Sequence, residues 1–197
     1  MSTPYALASA SEVTGALGSS TLGWNVSHGD PQAQKDKEML ENKVPELLAN
    51  HQYAALDALA SSLRASKVQY PDGHTPLYRF YKELELPRNS TDEDWTTRLN
   101  DLNQWMSQCP DSKVAPAELV AYWKNFAWRA RGSGYADTVS PQGWKDFKDR
   151  LAKGHEIFDK ARAKKDVCPF LYQQGLVIAL GESWELPEYD KVFDEAV

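Results

Sequence analysis

Apolar residues return at every third or fourth position over most of the chain. Tyr53, Leu56, Leu59, Ala60 and Leu63 make one such line, and Trp95, Leu99, Leu102 and Met106 a second. Leu119, Tyr122, Trp123, Phe126 and Ala130 make a third; Trp144, Phe147, Leu151, Phe158 and Ala161 make a fourth. This spacing puts each set on one face of an α-helix. Prolines mark where the helices start, because proline at the first helical position loses no hydrogen bond and a Ser, Thr or Asp before it accepts from an orphan N–H. Thr75-Pro76, Ser140-Pro141 and Asp30-Pro31 fit that pattern, whereas Ala115-Pro116, Cys168-Pro169 and Leu186-Pro187 give starts without a strong cap. The predicted helices cover residues 31–50 (interrupted around Pro45), 52–66, 76–86, 92–108, 114–131, 141–164, 169–181 and 187 to the end. Phe170 to Leu180 is apolar on nearly every side, which predicts a central helix sandwiched between neighbours.

Short connections place successive helices antiparallel. The expected fold is therefore all-α, a stack of antiparallel helix hairpins resembling tetratricopeptide or α-superhelical packing. Its repeats are irregular, since the proline marks fall at unequal intervals and the Trp, Leu-Gly and Tyr signature is missing. The core is expected at Leu59, Leu63, Leu102, Trp105, Trp123, Phe126, Phe147, Leu171, Leu176 and Leu180. Residues 31–197 read as one helical domain, preceded by a flexible Ser/Gly/Ala-rich leader over residues 1–30 in which Trp24 packs on the domain.

Composition sharpens this picture. The 197 residues include 22 Ala and 20 Leu against 2 Ile and 11 Val, a stock of helix formers that disfavours an all-β fold. A net charge of −6 argues against a nucleic-acid binder, which gains affinity by neutralising phosphates. Mean hydropathy is −0.59, and no apolar run approaches the length of a membrane span. The leader has no continuous apolar block of the kind a signal peptide needs, although Ala6-Leu7-Ala8-Ser9-Ala10 resembles the surroundings of a cleavage site. Exported and cytoplasmic locations both stay open. Cys109 and Cys168 are expected as free thiols; the alternative is a bridge closing a loop of about 60 residues, worth ~4 kcal/mol. His28, His51, His74 and His155 show no zinc-ligand spacing, and neither a metal nor a cofactor is called for.

Several strings occur together in one order. Leu56-Asp57-Ala58-Leu59-Ala60 and Leu63-Arg64-Ala65-Ser66-Lys67 are followed by Phe80-Tyr81 and by Trp105 with Pro110-Asp111-Ser112. Then come Ala127-Trp128-Arg129-Ala130-Arg131-Gly132-Ser133-Gly134-Tyr135-Ala136, Gly143-Trp144 with Phe147, and Cys168-Pro169 with Tyr172. In this order they resemble a bacterial family known only as domain of unknown function 4034, whose members look like tetratricopeptide-type helical proteins. The resemblance runs over about residues 50 to 197, implies a helical fold and a bacterial source, and carries over no catalytic residue.

The most unusual chemistry lies between Trp128 and Trp144. Gly132 and Gly134 are placed to take positive φ and end the helix, while Arg129 and Arg131 sit where cations suit its C-terminal dipole. That structural account suffices alone. The functional account is that Arg129, Arg131 and exposed loop amides form a pocket for a carboxylate, a phosphate or an acidic peptide, with Trp128, Tyr135, Asp137 and Trp144 completing a binding surface. Charge is also uneven: residues 113–165 carry twelve bases against six acids, and residues 182–197 one lysine against six acids. These are either solvated helix faces or surfaces that recruit a partner. Asp92 to Asp94 reads as acid at a helix N-terminus, and His155 as a hydrogen-bonded histidine at the core boundary. No nucleophile elbow, P-loop or Rossmann fingerprint occurs.

The function expected from these residues is a non-catalytic bacterial module that binds another protein, as an adaptor or the partner of an effector. The alternatives are a hydrolase of carbohydrate or cell-wall material acting through Glu182, Glu185 or His155, and a binder of a small anion at the 129–137 turn. A hydrolase requires titratable groups converging in a pocket.

Overall fold

The computed structural model describes residues 31–70, 72–164 and 167–196. The leader expected over residues 1–30, Trp24 included, lies outside them. The chain is all-α: eight α-helices and one 3₁₀ turn, with no strand among the described residues. The helices are α1 (Pro31–Ala49), α2 (Tyr53–Ser66), α3 (Pro76–Leu84), α4 (Asp92–Gln108), α5 (Val114–Arg131), α6 (Pro141–Arg162), α7 (Pro169–Glu182) and α8 (Leu186–Ala196). Each lies within two residues of its predicted bounds.

The capping chemistry explains most of the starts. Thr75 Oγ1 accepts from the Tyr78 N–H at 3.1 Å and Ser140 Oγ from the Gly143 N–H at 3.0 Å. Thr91 and Asp94 cap α4 reciprocally, the Asp94 N–H donating to Thr91 Oγ1 and the Thr91 N–H to Asp94 Oδ2. Two expectations are corrected. The start of α5 is well capped, because the Ser112 hydroxyl accepts from the N–H groups of both Val114 and Ala115, at 3.2 and 2.9 Å. In addition, α1 runs unbroken through Pro45. The proline withholds one N–H, but Leu40 and Val44 before it and Leu47 and Leu48 after it are all buried. Packing along that stripe keeps the two halves in one helix.

Contacts divide the chain between Leu84 and Glu85 into two compact units. In the first, α1, α2 and α3 pack mutually around Leu40, Val44, Leu56, Leu63, Phe80 and Tyr81. The second is built on α5, which touches α4, α6 and α7. Helices α4 and α6 run antiparallel to it. On α4, Trp95 stacks on Phe126 at 4.9 Å, and the Tyr122 hydroxyl donates to the Trp95 carbonyl at 2.9 Å. On α6, Arg150 donates to the Phe126 carbonyl at 2.8 Å with its guanidinium 3.5 Å from the Phe126 ring, while Trp128 lies edge-on to Phe147.

Helices α6 and α7 meet through glycine notches. A Cβ on Gly175 would fall on the Phe158 ring, one on Gly154 would lie 2.8 Å from Ile178 Cδ1, and one on Gly181 2.6 Å from Leu151 Cδ1. Each helix thus receives large side chains of the other where it has none itself, and the two backbones approach closely.

Of the ten expected core residues, Leu59, Leu63, Leu102, Trp105, Phe147 and Leu171 are buried. Trp123, Phe126 and Leu176 are only half-buried, and Leu180 is 66 % exposed. The central helix of the second unit is therefore α5 and not α7. Helix α7 packs against α5, α6 and α8 but leaves Leu180 in solvent, since a helix apolar all round carries no mark of which side its neighbours will leave open.

Candidate functional site

The α5–α6 turn gathers three of the predicted site residues around one cation. The Arg131 guanidinium lies 5.5 Å from the Trp128 ring centre and 5.6 Å from that of Trp144, within the range of cation–π attraction. It also donates to the carbonyls of Gly134 at 2.9 Å and Gly132 at 3.4 Å. Both tryptophans meet Phe147 edge-on, at 5.1 and 5.8 Å, so the buried ring of α6 anchors the sandwich. Gly132 takes φ 76°, and its N–H closes α5 on the Trp128 carbonyl at 3.0 Å. Gly134 departs from expectation: it has no positive φ, and its smallness serves instead to admit the Thr138 hydroxyl. That hydroxyl donates to the Tyr135 carbonyl at 2.7 Å and starts the 3₁₀ turn Ala136–Thr138, where Asp137 is exposed. Tyr135 stands 85 % exposed at the apex.

Arg129 is elsewhere. Its Nη1 lies 2.7 Å from Asp92 Oδ1, its Nη2 donates to the Ser90 carbonyl at 3.3 Å, and its guanidinium is 5.9 Å from the rings of both Trp95 and Phe126. Residues two apart on a helix point to different sides, so Arg129 fastens α5 to α4 while Arg131 builds the turn. The expected anion pocket formed by both arginines is not assembled.

A second cluster ties α6 to the α7–α8 corner. His155 Nδ1 lies 2.8 Å from Glu182 Oε2, and its Nε2 3.4 Å from Asp159 Oδ2. The Trp184 indole N–H donates to the same Glu182 oxygen at 2.8 Å, and its ring centre lies 4.5 Å from that of His155. Glu185, the third residue named for a hydrolase, is exposed. Further along, an open cleft of about 480 Å³ is lined by Asp159, Arg162, Ala163, Tyr172, Lys191 and Glu195. Arg162 spans it, 2.9 Å from Asp159 and 3.1 Å from Glu195. Burial pushes the Tyr172 phenol up, and the charge of Glu195 adds to the effect.

Sequence reasoning missed Arg150, whose guanidinium on Phe126 is held at a lowered pKa by burial, with Asp146 opposing. It also missed Lys153, 4.6 Å from the Trp123 ring. Both bases recur on one face of α6 opposite an aromatic stripe of α5, a signal that appears only once the two helices are paired. Half-buried Cys109 and buried Cys168 are not joined by a disulfide. Among the described residues no group of three or more His, Cys, Asp or Glu is placed to hold a metal ion, and no helix is long and apolar enough to cross a membrane.

Comparison with curated proteins and with solved structures gives no match. A family model does match, over residues 41–146, which takes in the α5–α6 turn through Trp144 and ends before His155. With more than half of its length covered, the chain belongs to the family described as domain of unknown function DUF4034.

Proposed function

We propose that this chain is a non-catalytic, bacterial protein-binding module, a tetratricopeptide-like helix stack whose anchor is the α5–α6 turn. The observation that carries the reading is Tyr135, 85 % exposed on a turn held from below by the Trp128–Arg131–Trp144 sandwich. A tyrosine ring presents a large contact area with only two side-chain torsions to immobilise on docking, which is why tyrosine recurs among interface hot spots. Exposed Asp137 and half-buried Trp128 and Trp144 complete the same surface. The hydrolase reading is weaker, since Glu182 is engaged by His155 and Trp184. The small-anion reading lacks the Arg129 half of its pocket.

The test is affinity capture from a lysate of the source organism with the wild-type chain and Tyr135→Ala as parallel baits. Tyr135→Ala should melt with the wild type, within about 0.5 kcal/mol as expected for an exposed side chain. It should also lose a stoichiometric partner by ~2 kcal/mol, or about 30-fold in Kd. Capture of the same partner equally by both baits, or of none in repeated trials, refutes the proposal.

A further inference from the structure

We propose that the outer face of α8 binds a helical segment of another protein that carries an apolar stripe flanked by lysine and arginine. The α8 helix, Leu186–Ala196, is docked by one edge only. Val192 is its one buried residue, with Tyr189 and Ala196 half-buried beside it. At about 100° per residue the apolar arc continues from these through Phe193 to Leu186, covering roughly 120° of the helix. Leu186 and Phe193, seven residues apart and so on one face, are 68 % and 50 % exposed. The covered edge already supplies what holds α8 to its unit, together with the Arg162–Glu195 ion pair at 3.1 Å. The Leu186–Phe193 line is surplus to that attachment.

Charge selects the occupant. Residues 182–197 hold six carboxylates and one lysine, a local −5 on a chain of net charge −6. Glu182 and Glu195 are turned inward to His155 and Arg162, but Asp190 and Asp194 are exposed beside the apolar line, about 40° and 80° past Leu186 around the helix, with Glu185 exposed just ahead of it in the chain. An acidic rim repels an anionic lipid surface, an acidic peptide and the same face of a second copy of this chain, and attracts a basic partner. Two apolar side chains one heptad apart are the footprint of a helix laid alongside a helix, where the partner's own stripe covers the line and its cations meet the rim. This surface is separate from the Tyr135 turn, so each can fail without the other.

The experiment uses the full chain and fluorescence anisotropy with three labelled amphipathic peptides of about 18 residues, long enough to take up helix on binding. They share one leucine stripe and differ only in flanks of Lys, Gln or Glu. The Lys-flanked peptide should bind, and the Glu-flanked one at least ~100-fold more weakly. Leu186→Ala/Phe193→Ala should weaken the Lys-flanked peptide at least ~10-fold. Asp190→Asn/Asp194→Asn should weaken it about as much and flatten its salt dependence, whereas Tyr135→Ala should leave it unchanged. All substituted side chains are exposed, and matched far-UV circular dichroism checks the fold. Equal binding by the Leu186→Ala/Phe193→Ala variant would reduce the effect to unspecific charge attraction and overturn the proposal. So would equal binding of the Glu-flanked peptide, or a wild-type dimer in sedimentation that this variant abolishes, which would assign the face to a second copy.

Discussion

Replacing Gly175 by alanine sets two effects of known size against each other. In the middle of α7 the change should gain about 1 kcal/mol, the usual advantage of Ala over Gly inside a helix. The added methyl, however, would fall on the Phe158 ring, which is fully buried and meets Tyr172 edge-on at 6.2 Å with the Arg162 guanidinium 5.3 Å away. Overpacking of this kind costs ~1–3 kcal/mol, and the upper end applies because a ring wedged between two helices must move as a body. The expected balance is a loss of ~1–2 kcal/mol, read as a lower urea midpoint at unchanged m-value and a melting temperature several degrees lower. Gly154→Ala is the internal control. Its methyl meets the Cδ1 end of Ile178, which can rotate aside, and Trp123 Cβ at 3.3 Å, which can yield only by a small shift, so the result should be within about 1 kcal/mol of wild type and milder than Gly175→Ala. Phe158→Leu combined with Gly175→Ala should cost less than the two single changes added together, as neighbours sharing one space do. Should Gly175→Ala prove more stable than wild type by the whole helix-propensity gain, α6 and α7 do not approach as closely as described.

Ser112→Ala removes the acceptor for two N–H groups at the start of α5 and should destabilise the second unit by ~1–2 kcal/mol, with Ser112→Asp restoring most of it in thermal melts. Tyr122→Phe deletes a buried hydrogen bond to the Trp95 carbonyl and should cost ~1 kcal/mol in urea unfolding. Burial pushes the Tyr122 phenol up to about 12, so this loss should be the same across neutral pH. The hydrogen bonds from the Thr91 side chain and backbone hold the Asp94 carboxyl below its ordinary 3.8. A folded-state value below the unfolded one adds stability that is complete above the unfolded value and disappears as pH falls through the folded one. The melting-temperature gap between wild type and Asp94→Ala should accordingly be widest above about pH 5 and close toward pH 2; a gap that widens on acidification contradicts the capping box.

How much of this was legible beforehand depends on the range of each interaction. The helices, their bounds and several caps follow from contacts within four residues, so Thr75 and Ser140 could be read from spacing alone, whereas Asp94 was read only as acid at a helix N-terminus and its reciprocal partner Thr91 was missed. Ser112 was overlooked because it stands two and three residues before the N–H groups it serves, those of Val114 and Ala115, and is separated from Pro116 by residues that do not cap. Pro45 misled for the opposite reason: its local preference is real, but burial of Leu40, Val44, Leu47 and Leu48 outweighs it.

The candidate site divides in the same way. Trp128, Arg131, Tyr135 and Trp144 are close in the chain, and the helix-ending Gly132 already implied that they crowd one turn. The direction of Arg129 depends on Asp92 and Ser90, more than thirty residues away, and so on α4 packing antiparallel to α5. The pairing of His155 with Glu182 and Trp184 likewise exists only because α7 folds back along α6.

The amino-acid order by itself determined an all-α chain, the eight helices of the described residues and the turn that displays Tyr135, because periodicity, proline placement and capping act over one helical turn. Which helix lies at the centre, which apolar residues stay in solvent and which charges meet were decided by tertiary packing. A helix such as α7, apolar on all sides, has no preferred face until its neighbours cover some of them, and the exposure of Leu180, Leu186 and Phe193 records the faces they left bare.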